Sequence, residues 1–348
     1  MRGRRIFVIS VISIFGMYAA CCSELLNLED MAQDYVIGVK QIKLSQYPYA
    51  FNPSIVRWRG KLVVSFRVLQ NPSYAQPFNS DIGIVFLDDE FEVVGDPYIL
   101  PLRRPESSVP NRAEDGRLIV CNDRLYCVYS DCEEERVTRG GFRVYIAELS
   151  FENDRWHVDA ERITWFTGMS ENRREKNWVP FVYNDTLLLA YSIDPHLIVQ
   201  PERGTNSAYE VAYSSHQLPW NFGEIRGGTP AVRDGDEYLA FFHSAQRMAT
   251  IHSHGENLMH YFMGAYKFSA EPPFNITRMS AQPIIGKQFY RGAEYTPYPR
   301  WRKKYVVFPC GIMIDGDYVI VLYGRNDHEM WIAVLDKKQL YANMGEAI

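Results

Sequence analysis

Polar residues break the apolar pattern of this chain at short, regular intervals. The segments IVRWRGKLVVSFRV, LIVCNDRLYCVYS, VPFVYNDTLLLAYS, PAVRDGDEYLAFFHS and GIMIDGDYVIVLYG share one design. Each has an apolar run, a turn of Gly, Asn or Asp, and a second run rich in β-branched and aromatic residues. That pattern predicts β-hairpins. Further strands are predicted between them, in DIGIVFL, RVYIAEL, YEVAYSS, YFMGAYKF and MWIAVLD. The best helical pattern is LLNLEDMAQDYV, residues 25–36.

The hairpins recur in register. Asn52, Asp115 and Asn177 precede the first three, at separations of 63 and 62 residues. Gly228 and Phe308 precede the last two. Each lies 15 residues ahead of the end of its second strand, at Arg67, Ser130, Ser192, His243 and Tyr323. Self-similarity of this kind marks a repeat architecture. About four strands per unit and five units predict an all-β, five-bladed β-propeller. A β-sandwich with accessory domains or an irregular barrel leaves the constant offset unexplained. The start of a hairpin's first strand and the end of its second share one edge. Asn52, Asp115, Asn177 and Thr229 are therefore expected around the axis, with the five strand-end residues beside them.

The N-terminus departs from this pattern. MRGRR is basic, IFVISVISIFGMYAA is apolar, and CCSE follows. Residues 1–22 read as an export signal, secretory or of lipoprotein type at Tyr18-Ala19-Ala20-Cys21, and residues 23–348 as a single propeller domain. The expected location is outside the cytoplasm, with no stable membrane span after signal cleavage.

Charge and composition narrow the chemistry. A net charge of -5 gives no electrostatic reason to expect nucleic acid as a partner. The 23 tyrosines and 7 tryptophans suit strands and also sugar-binding surfaces. Four cysteines lie beyond the signal: Cys121, Cys127, Cys132 and Cys310. In an exported chain they allow three disulfide pairings. Their spacing is not that of a zinc site, and HSHGENLMH is read as a loop bordering the pocket rather than a metal site. Asn184-Asp-Thr and Asn275-Ile-Thr are glycosylation sequons.

The rim elements resemble glycoside hydrolase family 130, the β-mannoside phosphorylases and their relatives. FNPSIV resembles the family's Gly-Asn-Pro element, AEDGR its Glu-Asp-Pro-Arg, and EKNWVPF its Lys-Asp/Asn-aromatic element. GGTPAV, YFMGAYKF, VVFPCG and YGRND resemble its later elements, in order, from about residue 50 to the C-terminus. The resemblance implies a five-bladed propeller that cleaves β-mannosides with inversion. It implies Asp115 as proton donor, acting through a hydroxyl of the bound mannose. It makes Asn52, Arg67 and Asp327 sugar ligands, with Glu114, Arg117, Asn177, Trp178 and Tyr323 as further candidate substrate contacts. His243, Lys176 and Arg174 are candidate phosphate ligands. No metal or organic cofactor is implied; inorganic phosphate is the expected co-substrate of a phosphorolytic reaction.

Phosphorolysis needs an acid and cations to collect the phosphate charge. Inverting hydrolysis needs a second carboxylate, ~6.5–9.5 Å from the first, to activate water. Candidates for that base are Glu114, Asp131, Asp194 and Glu224. The chain departs from the family pattern at Gly116, which replaces Pro. It departs again after the third hairpin, where Tyr-Ser-Ile-Asp-Pro-His stands in place of an Arg-bearing end. The sequence therefore leaves phosphorolysis, hydrolysis, mannosyl transfer from a sugar nucleotide and silent sugar binding open. It leaves homo-oligomerisation open as well.

Overall fold

The computed structural model describes residues 25–70, 79–102, 111–132, 141–167, 175–202, 204–290 and 304–347. The export segment and Arg174 lie outside these residues. Within them the chain is all-β, with one short α-helix, Lys337–Ala342. All five hairpins form. The first pairs Phe51–Trp58 with Lys61–Leu69, and the second Glu114–Cys121 with Arg124–Cys132. The third pairs Val179–Tyr183 with Thr186–Ser192. The fourth pairs Val232–Asp234 with Glu237–Met248, and the fifth Val307–Asp315 with Tyr318–Arg325. Arg59-Gly60, Asn122-Asp123 and Asn184-Asp185 turn the first three with positive φ at both residues. That matches the two-residue turns whose twist suits a hairpin.

The first hairpin extends through Ser80–Leu87 to Val93–Ile99 as a four-stranded sheet. The second extends through Phe142–Glu152 to Arg155–Phe166. The third extends through His196–Pro201 to Ser207–Ser214. A short parallel pairing, Ser207 with Trp165 and Ala208 with Phe166, joins these two meanders into one eight-stranded sheet. The fourth hairpin heads a seven-stranded sheet that includes Leu258–Ser269, Ile276–Ser280 and the C-terminal Met344–Glu346. The fifth runs through Glu329–Asp336 to the N-terminal strand Val36–Ile42. The arrangement is propeller-like.

The helix expected over residues 25–36 is corrected. Only Leu28–Met31 turns, as a 3-10 helix whose cap, Asn27 Oδ1, accepts from the Glu29 N–H. The chain then enters the strand that Glu329–Asp336 leaves unpaired on its outer side. Sheet pairing along one side of Val36–Ile42 takes up backbone groups there, and tertiary pairing of this kind overrides local propensity.

First strands of neighbouring sheets meet at the centre, where Phe51–Trp58 abuts both Glu114–Cys121 and Val307–Asp315. Polar links cross between them: Ser65 Oγ donates to the Gly116 carbonyl at 2.7 Å, and the Leu118 N–H to Ser54 Oγ at 3.0 Å. Gly311 permits the approach, since a Cβ there would stand 2.6 Å from Ile55 N. Gly116 is equally confined, with Cys127 Sγ 2.8 Å from where its Cβ would lie.

The four cysteines are free and buried, so the disulfide is not formed. Cys121 pairs with Arg124 and Cys127 with Leu118, three ladder positions apart. That is about 10 Å along the strands, beyond the reach of a disulfide. No helix among the described residues is long and apolar enough to cross a membrane.

Candidate active site

The site begins with backbone geometry. Phe51 pairs with Arg67 and Ser54 with Ser65, so the register slips by one across Asn52 and Pro53. Glu114 pairs with Ser130 and Arg117 with Val128, so the same slip falls on Asp115 and Gly116. Bulges of this kind re-aim a side chain. Asn52 and Asp115 are left-handed, with φ of 49° and 56°, and Asn177 matches them at 63°. Among non-glycine residues, Asn and Asp tolerate this region best. The three residues picked out by the 63- and 62-residue spacing therefore share one strained conformation, of the sort that clusters at functional sites.

Their side chains border a cavity of about 1030 Å³, at the upper end for ligand pockets. It gathers Asn52, Arg67, Glu114 and Asp115 from the first two hairpins, and Lys176, Asn177 and Ser192 from the third. His243 and Asp327 complete the set from the fourth and fifth.

A charged web holds these groups. Asn52 Nδ2 donates to Asp115 Oδ1 at 2.7 Å, and Arg67 Nη1 stands 3.6 Å from the same oxygen. Arg67 Nη2 also donates to Glu114 Oε1 at 3.1 Å, while Lys176 Nζ binds Glu114 Oε2. Glu114 thus ties the first hairpin to the third. Lys176 also sits 3.4 Å over the Phe142 ring.

His243 lies between the Phe308 ring, 4.4 Å away, and the Tyr261 ring, 6.0 Å away. Burial, reinforced by Arg117 and Arg226, lowers its pKa to about 3. The imidazole therefore meets any ligand as a neutral group at pH 7.

Three expected contacts do not reach the cavity. Trp178 is 1% exposed and donates its indole N–H to Glu175, so neither ring face is open to a sugar. Tyr323 is fully buried against Phe289 and Trp331. Arg117 is also buried, beneath the cavity floor. Its guanidinium binds the carbonyls of Asp115, Gly227 and Gly228 and Asn177 Oδ1, and makes no ion pair with either neighbouring carboxylate. Thr229 and Ser130 are buried off the cavity as well; the Thr229 hydroxyl accepts from the Phe241 N–H. Of the four candidate bases, Asp194 and Glu224 line the cavity with Glu114, whereas Asp131 is buried and accepts from the Arg112 and Cys132 N–H groups.

Other cavity groups were missed from sequence. Lys304 pairs with Asp327 Oδ2 at 2.5 Å. Burial alone would lower its pKa, but Asp327 and Tyr261 outweigh burial and raise it. Arg226 pairs with Glu224 at 2.8 Å, and Arg247 donates to the Asn257 carbonyl at 3.2 Å. The basic run before VVFPCG and the Arg before GGTP are the signals that mark Lys304 and Arg226. The run HSHGENLMH borders the cavity through Met259, but its histidines do not line it: His260 is buried and bonded to Thr250 Oγ1 and the Leu258 carbonyl, and His252 packs on Tyr290.

Solved structures share this fold. A glycosyl hydrolase from Bacteroides ovatus is 15% identical, with a TM-score of 0.60 over 83% of this chain and 84% of that one. A β-1,2-mannobiose phosphorylase from Listeria innocua is 14% identical, with a TM-score of 0.56 over 88% and 93%. A mannose phosphorylase from Leishmania mexicana, in complex with phosphate ion, is 12% identical, with a TM-score of 0.56 over 89% and 90%. No curated protein matches. The model of the family described as β-1,4-mannooligosaccharide phosphorylase matches residues 33–344. The chain belongs to glycoside hydrolase family 130, whose members are glycoside phosphorylases and hydrolases.

Proposed function

We propose that this protein is an exported, five-bladed propeller hydrolase that cleaves β-mannosides with inversion, using Asp115 as proton donor. Four four-stranded units and the seven-stranded sheet headed by the fourth hairpin support the blade count. In the proposed reaction Asp115 Oδ2 gives its proton to a hydroxyl of the bound mannosyl unit, and that hydroxyl passes its own proton to the glycosidic oxygen. The bond from the anomeric carbon to that oxygen breaks. A water deprotonated by Asp194 or Glu224 attacks the same carbon from the other face. The products are mannose of inverted configuration and the released sugar. Asn52, Arg67 and Asp327 hold the mannosyl unit, and the Asn177 amide adds a donor, since Arg117 occupies its oxygen.

The observation that carries hydrolysis over phosphorolysis is charge balance. Arg67, Lys176, Arg226 and Lys304 are each already bound to a carboxylate. A phosphate dianion would have to displace those partners or rely on Arg247, which is bonded to the Asn257 carbonyl, whereas water needs the carboxylates. Phosphorolysis is the second reading, favoured by His243, whose Nδ1 is buried without a hydrogen-bond partner.

The test is incubation with β-mannobioses, with and without inorganic phosphate. Free mannose in both cases is expected. Mannose 1-phosphate formed only with phosphate would establish phosphorolysis instead. Asp115→Asn should lower kcat by about 10²–10⁴-fold, the usual contribution of a general acid. Sugar binding without any turnover, unaffected by Asp115→Asn, would sink the enzyme reading.

A further inference from the structure

We propose that Arg117 is the positioning residue of this site, a buried cation that fixes Asp115 and Asn177 from beneath. The proposal rests on Asp115 being the proton donor. Arg117 is 1% exposed, and its guanidinium faces oxygens from three hairpins. Nη1 donates to the Asp115 carbonyl at 3.1 Å, and Nη2 to Asn177 Oδ1 at 3.2 Å and the Gly227 carbonyl at 3.4 Å. Nε donates to the Gly228 carbonyl. Two of these acceptors belong to the left-handed residues that aim side chains into the cavity. The other two belong to the segment that pairs with Phe242 and His243.

The planar fork suits this task. Arginine carries five N–H donors in one rigid plane and stays charged when buried. Carbonyl dipoles from separate strands converge on it, so each strand is held relative to the others. A lysine would keep the charge but not the fork. The left-handed turns at Asp115 and Asn177 are the kind of strained backbone that persists only when its surroundings over-determine it, and this guanidinium supplies that constraint.

The charge has a second consequence. Asp115 is faced by Arg67, Glu114, the Arg117 guanidinium and the buried Cys310 thiol. Within this set Arg117 is the cation without a carboxylate partner. It acts on His243 too, alongside Arg226 and Lys304.

The experiment compares Arg117→Met and Arg117→Lys in the full chain, on the β-mannoside that the wild type cleaves. Loss of the fork should lower kcat by about 100-fold in both, the scale of a 1 Å misplacement, with KM moved much less. Loss of the charge should separate them. By NMR, His243 should titrate at higher pH in Arg117→Met than in wild type, and Arg117→Lys should leave that titration in place. Either variant retaining wild-type kcat, or the two sharing one His243 titration, would overturn the proposal. If Arg117→Met does not fold, Arg117→Lys decides alone: reduced kcat with an unmoved His243 titration supports the proposal, and any other result overturns it. If the wild type turns over no β-mannoside, the functional reading fails by itself. The His243 titration still reads the charge of Arg117.

Discussion

Asn52 shows how narrowly Asp115, the proposed proton donor, is held. Its Nδ2 donates to Asp115, while its Oδ1 is buried without a hydrogen-bond partner. The other side of that oxygen is Gly324, where a Cβ would lie 1.9 Å away. Gly324→Ala should push Asn52 off Asp115 and lower kcat by about 10²-fold in a protein that still folds. Circular dichroism and steady-state kinetics check this; unchanged turnover would mean that Asn52 does not hold Asp115. The 15-residue offset made Asn52 and Asp115 legible in the sequence, because both their residue type and their station repeat. Tyr323 occupies one such station and Trp178 adjoins another, and both proved to be core. An aromatic ring serves packing and sugar stacking equally well, and spacing does not say which way it points. Lys304 stayed hidden because its partner, Asp327, lies across the strand pairing rather than along the chain.

At the scale of elements, the short helix Lys337–Ala342 is clamped to the fourth hairpin. Tyr341 donates its hydroxyl to Asp234 Oδ2 at 2.6 Å, and Lys337 adds a contact at 3.4 Å. Lys267 is buried against Glu237 and sits 4.1 Å over the Tyr341 ring. The Tyr341 hydrogen bond heads the effects that lower the Asp234 pKa. Burial would raise that of Glu237, but Lys267 and Thr277 prevail and lower it. Carboxylates lowered in the fold stabilise it above about pH 4, and that contribution is lost as pH falls through their folded values. Glu237→Gln should therefore reduce Tm at pH 7, since it strands a buried ammonium. The gap to wild type should narrow below about pH 4; a gap independent of pH would refute the role given to this pair. The hairpins themselves were legible because their turns carry the residues that positive φ demands. His196–Pro201 was not, and it stands between the third hairpin and the strand predicted in YEVAYSS. Five residues between Pro195 and Pro201 offer too little alternation to announce a strand.

For the whole molecule, acid sensitivity follows from three buried imidazoles. Burial lowers the pKa of His196 and His260 to about 4 each and that of His243 to about 3. Unfolded histidine takes its proton near pH 6.5, so between about pH 6.5 and 4 the unfolded chain binds more protons than the folded one. Stability should be full above pH 6.5 and fall below it, by at most about 1.4 kcal/mol per pH unit for each histidine. Urea unfolding at pH 7.5, 6 and 5 measures this, and a flat profile would contradict it. The repeat made the five hairpins readable from the sequence. What spacing could not reveal was the partner of the N-terminal strand, because KQIKL carries no mark of the strand it joins. Val36 pairs with Leu335, and Ile42 with Met330. A ribosome delivers Val36–Ile42 long before Glu329–Asp336. That sheet is therefore incomplete until its second half is made, and its closure is one late event. For a chain exported as proposed, that delay leaves a polypeptide that can still be threaded through a narrow channel and locked only on the far side.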